Sequence, residues 1–216
     1  MKIPLLYPIL DTDYLMRGSP GSTLMSAVCG QALALAEAGC TLMQLRAKHL
    51  DVREALAVAR ELRRVLPGIT LIMNDRADLC VAAGFDGVHL GQDDLSPEGA
   101  RRVLGAAAIV GFSTHNPAQL AEALIKPVDY LAIGPVFSTT SKQNPDPDVG
   151  TAGVSRARRL LRDSGSNLPL VAIGGITRAN AAAVLRAGAD SVAVIGDISA
   201  SPGESAREFL RLMMSR

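Results

Sequence analysis

The stretch Ala83-Gly84-Phe85-Asp86-Gly87-Val88-His89-Leu90-Gly91 is repeated in outline near the other end of the chain, as Ala187-Gly188-Ala189-Asp190-Ser191-Val192-Ala193-Val194-Ile195-Gly196. Each begins with Ala-Gly, passes an aspartate and runs into a short apolar segment that ends in glycine. The first glycine suits a helix C-terminus, where the backbone turns left-handed. The apolar segment has the length of a fully buried strand. Ala38-Gly39-Cys40 and Val128-Asp129 lead into apolar runs in the same way. A helix-end-to-strand unit that recurs around the chain favours a closed barrel over an open, doubly wound sheet.

Outward from these segments, short apolar runs alternate with Ala/Leu/Arg-rich stretches of helical character. The runs predict strands over 5–10, 41–46, 70–73, 87–90, 109–112, 130–133, 170–173 and 191–195. Helices are predicted over 25–38, 52–66, 76–83, 97–104, 117–124, 154–163, 178–187 and 203–214. Asp51 with Glu54 fits a capping box, and Ser96-Pro97 and Asn116-Pro117 place proline at a first helical position. Eight strands alternating with helices make an α/β fold with a parallel sheet. The expectation is a single (β/α)8 barrel, the TIM-barrel architecture, over residues 1–216, with its site at the C-terminal face of the strands.

Bulk composition agrees with one globular domain. The 216 residues are 48% hydrophobic and 20% charged, and the net charge is +1. There is no field to attract nucleic acid or an anionic membrane, and no apolar run of membrane-spanning length. Lys2 is followed by Pro4, Pro8, Asp11 and Asp13, which does not read as a signal peptide. Cys29, Cys40 and Cys80 are odd in number and far apart, as expected of reduced thiols in a cytoplasmic protein. The partners expected are small-molecule substrates, with a homo-oligomer left open.

Residues 138–151 break the pattern. They are Ser, Thr, Lys, Gln, Asn, Pro, Asp and Gly with Val149 as the one apolar side chain. So long a loop in a compact domain is functional or disordered. Following the sixth strand, it falls at the catalytic face of a barrel and reads as a mobile active-site loop.

Polar residues follow nearly every strand. Gln44, Arg46 and Lys48 alternate with Met43, Leu45 and Ala47, so the three share one face. Asn74-Asp75 and Gln92-Asp93-Asp94 put carboxylates on adjacent strands, although Asp75 also suits the cap of the next helix and 92–94 also suits a turn. Two carboxylates beside a phosphate would make a magnesium site, whereas zinc would want closely spaced His or Cys. Ser113 could donate to a phosphate oxygen or cap a helix; His89 and His115 read as hydrogen-bonding scaffold. Gly174-Gly175 and Ile195-Gly196 end the seventh and eighth strands, where barrels commonly hold a phosphate on backbone N–H groups.

Several motifs together resemble the thiamine-phosphate synthase (thiamine-phosphate pyrophosphorylase) family. They are Gln44-Leu45-Arg46-Ala47-Lys48, Asn74-Asp75, His89-Leu90-Gly91-Gln92-Asp93-Asp94, Ser113-Thr114-His115, Gly134-Pro135-Val136-Phe137 with Thr139-Thr140-Ser141-Lys142, and Ile173-Gly174-Gly175-Ile176. The resemblance implies that Gln44, Arg46, Lys48, Asn74, Ser113 and Lys142 bind 4-amino-2-methyl-5-hydroxymethylpyrimidine diphosphate. Within that set, Lys142, Arg46, Lys48 and Ser113 would be catalytic. Asp75 and Asp94 would hold Mg2+ as the cofactor. Thr139, Ser141, Gly175, Ile195 and Gly196 would hold the thiazole phosphate or its carboxylated form. The implied reaction is displacement of diphosphate by the thiazole nitrogen through a carbocation-like pyrimidine.

The chain departs from that family in two places. The stretch 14–23 is longer than usual, and Gly196 stands where members often carry serine. Three other functions compete. A thiazole tautomerase on the same barrel has no use for Asp75, Asp94 and Lys48 together. A non-catalytic thiamine phosphate sensor would need the phosphate loops but not Lys142 or the acid pair. A sugar-phosphate isomerase would be expected to place a general acid and base at the mouth.

Overall fold

The computed structural model describes residues 2–18, 23–139 and 146–214. Eight parallel strands close into a barrel in chain order. They are β1 (Leu6–Asp11), β2 (Leu42–Arg46), β3 (Thr70–Asn74), β4 (Gly87–Leu90), β5 (Ile109–Thr114), β6 (Tyr130–Ile133), β7 (Leu170–Ile173) and β8 (Ser191–Val194), with β8 pairing back onto β1. Around them run α1 (Thr12–Gly18), α2 (Leu24–Glu37), α3 (Val52–Val65), α4 (Ala77–Ala83), α5 (Pro97–Leu104), α6 (Pro117–Ala123), α7 (Gly150–Asp163), α8 (Ala181–Arg186) and α9 (Pro202–Met214). No helix among the described residues is long and apolar enough to cross a membrane.

The caps read from the sequence form as expected. Asp51 accepts from the N–H groups of Arg53 and Glu54, Ser96 from Gly99, and Asn116 from Gln119. Three helices differ from expectation by more than two residues. α1 was not foreseen. α7 begins at Gly150 rather than residue 154, because Val149 and Gly150 donate back to the carbonyls of Pro135 and Val136 and start the helix early. α8 begins at Ala181 rather than residue 178, because the Asn180 carboxamide accepts from Thr177 N–H and holds the preceding residues in a turn.

The repeated aspartates have a structural task. Asp86 accepts both from Leu71 N–H at the start of β3 and from Arg63 of α3. Asp129 does the same for Val110 of β5 and Arg101 of α5. Asp190 does it for Leu170 of β7 and Arg158 of α7. Each carboxylate thus ties a helix to the entry of the strand that follows it, at the end of the barrel away from the expected site.

The barrel interior is apolar at its base, where Ile3, Leu42, Ile72 and Val171 pack with Tyr7 and Tyr130. Tyr130 fits only because a facing position is empty. A Cβ at Gly111 would lie 2.1 Å from the Tyr130 ring and 2.6 Å from His89 Nδ1. Between the sheet and the helices a second, larger apolar layer closes the fold.

Candidate active site

A chain of hydrogen bonds crosses the barrel beneath its C-terminal mouth. Gln44 Nε2 donates to the Tyr7 hydroxyl at 2.9 Å, and the hydroxyls of Tyr7 and Tyr130 are 2.9 Å apart. Tyr130 meets His89 Nδ1 at 2.9 Å, and His89 Nε2 meets Ser113 Oγ at 2.8 Å. The Gln44 amide nitrogen can only donate, which sets the direction of the rest. Tyr7 passes its proton towards Tyr130, and Tyr130 towards Nδ1. His89 is then protonated at Nε2 and donates to Ser113, leaving the serine proton for a partner at the mouth. The reverse direction would strand the Tyr7 proton inside the barrel, at about 1–3 kcal/mol. Burial raises both phenol pKa values and pulls His89 down to about 4, so all three rings are neutral. The expectation of a scaffold role for His89 fits this geometry. His115 Nδ1 donates to Gly134 O at 2.6 Å, a structural bond likewise.

The acidic corner lies beside that chain. Asp75 does not cap a helix; the residue before α4 is Arg76, with no side-chain cap bond. Asp75 instead holds a left-handed backbone, φ 63°, its N–H donating to His89 O at 2.8 Å. A non-glycine residue in that region marks a site under constraint. Asp94 folds back to accept from Gly91 N–H at 2.7 Å, in space left by the missing side chain. Burial, then the neighbouring Asp94, pushes the Asp75 carboxyl up to about 6, with Lys48 pulling the other way from 3.4 Å. Two carboxylates sharing one lysine in a partly buried corner are a pair of hard oxygen donors with net negative charge left over, which fits magnesium. Among the described residues no three His, Cys, Asp or Glu side chains converge, so water and substrate oxygens would complete such a shell.

Arg46 and Lys48 flank the corner from β2. Arg46 Nη1 lies 2.6 Å from Asp11 Oδ2, and Asp11 is 3% exposed. Asp11 was not among the residues singled out from the sequence, although an aspartate ending a core strand was the available signal. Gln44 is buried below the mouth, while Asn74 is half-buried in register with His89. Gln92 donates to Ser113 O at 2.5 Å and joins the loops after β4 and β5.

The loops after β7 and β8 form the other side of the mouth. Gly174 and Gly175 have φ of 100° and 60°, and a Cβ on either would strike the 135–138 backbone. Gly175 O accepts from Asn180 at 3.0 Å. Ile195 precedes a 3-10 turn, Gly196–Ile198. Asp197 in that turn accepts from Arg178 N–H at 2.8 Å and from its Nε at 3.0 Å, fastening the two loops together. No motif in the sequence marks either residue. Thr139 is half-buried at the edge of the loop after β6; Ser141 and Lys142 lie outside the described residues.

The family model and the curated relatives agree. The model of a family described as thiamine monophosphate synthase matches residues 18–198. A thiamine-phosphate synthase from Koribacter versatilis is 52% identical over 216 residues, covering 100% of this chain and 98% of that protein. One from Agrobacterium fabrum is 43% identical over 86% of each chain. Among solved structures, a thiamine phosphate pyrophosphorylase from Pyrococcus furiosus superposes with a TM-score of 0.81 at 28% identity, covering 98% of this chain and 96% of that one.

Proposed function

The chain belongs to the thiamine monophosphate synthase family, and from that premise we propose how its barrel mouth divides the work of the reaction. Its activity is the formation of thiamine phosphate, which makes it a transferase. The substrates we assign are 4-amino-2-methyl-5-hydroxymethylpyrimidine diphosphate and 4-methyl-5-(2-phosphoethyl)thiazole, or its carboxylated form.

The bond between the pyrimidine methylene carbon and the diphosphate oxygen breaks, and its electron pair leaves with diphosphate. The thiazole nitrogen then closes the new carbon–nitrogen bond with its lone pair; with the carboxylated form, the ring carbon–carboxylate bond also breaks, CO2 leaves and a proton is taken up in its place. Arg46 and Lys48 hold the diphosphate, with Lys142 from the loop after β6 as a third cation. Ser113 donates its hydroxyl proton to the bound pyrimidine diphosphate, in the direction set by His89. Gln44 and Asn74 hold the pyrimidine side. Thr139, Ser141, Gly175, Ile195 and Gly196 take the thiazole phosphate. Asp75 and Asp94 would hold a magnesium ion, which when bound neutralises charge gathering on the diphosphate. The segment 138–151 closes over the mouth and keeps water from the electron-poor methylene carbon. Three free cysteines, two of them buried, suit a reducing cytoplasm.

The observation that carries this reading is the Asp75–Asp94 pair facing Lys48, next to the Ser113 donor. The test mixes the purified protein with both substrates and magnesium and detects thiamine phosphate as its fluorescent thiochrome, with a chelated control. Magnesium-dependent product is expected. A folded protein that turns over thiazole tautomer alone, without metal, would replace the synthase reading with a tautomerase. One that binds thiamine phosphate but makes none would replace it with a sensor.

A further inference from the structure

Tyr14 stands at the mouth although no strand-end motif puts it there. It lies on α1, the helix between β1 and α2, and its N–H donates to Asp11 Oδ1 at 2.9 Å. From there the side chain reaches the end of β8. A Cβ built on Gly196 would sit 3.2 Å from the Tyr14 hydroxyl oxygen and 3.5 Å from Cζ. The phenol therefore occupies the space that a side chain at position 196 would take. The ring is half-buried, and the Arg17 guanidinium carbon lies 5.8 Å from its centroid. Among the described residues the Tyr14 hydroxyl makes no hydrogen bond, whereas Tyr7 and Tyr130 use theirs inside the barrel. A phenol held at a half-open mouth, with a cation on its ring and its proton unspent, is built to meet an anion.

We propose that the Tyr14 hydroxyl donates a hydrogen bond to the thiazole phosphate, supplying from α1 the side-chain contact that Gly196 lacks. The inference rests on the assignment of the β7 and β8 loops to that phosphate. It makes α1 part of the substrate site and makes Tyr14 a determinant of preference for the phosphorylated thiazole over its free alcohol. A hydrogen bond to a doubly charged phosphate is of the stronger, charge-assisted kind.

The experiment measures thiazole phosphate binding by calorimetry, and KM for each substrate, in the unmodified protein, in Tyr14→Phe and in Tyr14→Phe with Gly196→Ser. Tyr14→Phe is expected to weaken thiazole phosphate binding about tenfold, the usual scale for one charge-assisted hydrogen bond. KM for the pyrimidine diphosphate stays unchanged, and discrimination against the free alcohol shrinks. Gly196→Ser recovers part of the loss in the Phe background, where no hydroxyl crowds the new Cβ. Unchanged thiazole phosphate affinity in Tyr14→Phe, with the unmodified protein binding normally, overturns the role of Tyr14 and leaves the synthase reading intact. An unmodified protein that neither binds nor converts the thiazole phosphate overturns both together.

Discussion

Asp11 and Arg46 face each other across the register of β1 and β2, with Nη1 2.6 Å from Oδ2. The other oxygen of the same carboxylate takes the Tyr14 N–H. One buried side chain therefore aims the cation assigned to the diphosphate and anchors the helix that carries Tyr14. Asp11→Ala should strip both supports. Breaking a buried ion pair by removing one partner costs about 3 kcal/mol or more. Urea unfolding should register that loss, and kcat/KM should fall at least about tenfold as Arg46 loosens. A variant with unchanged kcat/KM would mean that Arg46 needs no such brace.

Asp94→Asn tests the acid pair. It removes one of two like charges and keeps an acceptor for Gly91 N–H. Magnesium-dependent thiochrome formation should drop about a hundredfold, on the scale of losing one electrostatic contact in a transition state. Magnesium should raise the Tm of the unmodified protein and leave that of the variant unmoved. Equal magnesium response in both would remove Asp94 from the metal site.

His89 gives the fold an acid-sensitive point. Burial lowers its pKa from 6.5 to about 4, with Asp94 pulling weakly the other way. An unfolded chain takes up the proton near pH 6.5, while the folded ring resists until about pH 4. The folded protein therefore keeps its full stability above pH 6.5 and loses roughly 3 kcal/mol as the pH falls towards 4. Denaturant titrations at pH 7, 5.5 and 4.5 would read the slope. His89→Gln should flatten it, and a slope that survives the substitution would place the acid sensitivity elsewhere.

Asp129→Ala should separate stability from catalysis. It leaves Val110 N–H unpaired in a buried strand and frees Arg101. The expected loss is about 2 kcal/mol of stability with kcat and both KM values unchanged. A fall in kcat would show that this end of the barrel communicates with the mouth.

The architecture was legible because hydrophobic period and caps agree locally. β4, β6, β7 and α5 coincide with their predicted bounds, each flanked by Gly, Pro or Asp punctuation. α1 was not legible, since Thr12–Gly18 is too short to display a period. Its signal was Asp11, whose side chain accepts from Tyr14 N–H three residues on, as a helix cap does. The candidate site was legible only as far as strand ends are. Asp75, Asp94, Lys48 and Ser113 could be placed at the mouth from their positions alone. The Tyr7–Tyr130–His89 chain could not, because the tyrosines are 123 residues apart and meet only when the barrel closes. Gly111, a glycine inside a core strand, marked the space Tyr130 needed.

The three arginine–aspartate ties also divide the molecule into units. One spans α3 to β4, the next α5 to β6, the last α7 to β8, each closing on itself without overlapping its neighbour. In the first quarter, β1 with β2, Thr41 stands where the others have aspartate, and among the described residues no such tie is present. Local opening begins where a unit is least fastened. In hydrogen exchange the amides of β1 and β2 should therefore trade with solvent before those of the three fastened quarters, so that the part of the barrel carrying Asp11, Tyr14 and Arg46 is also the part that breathes.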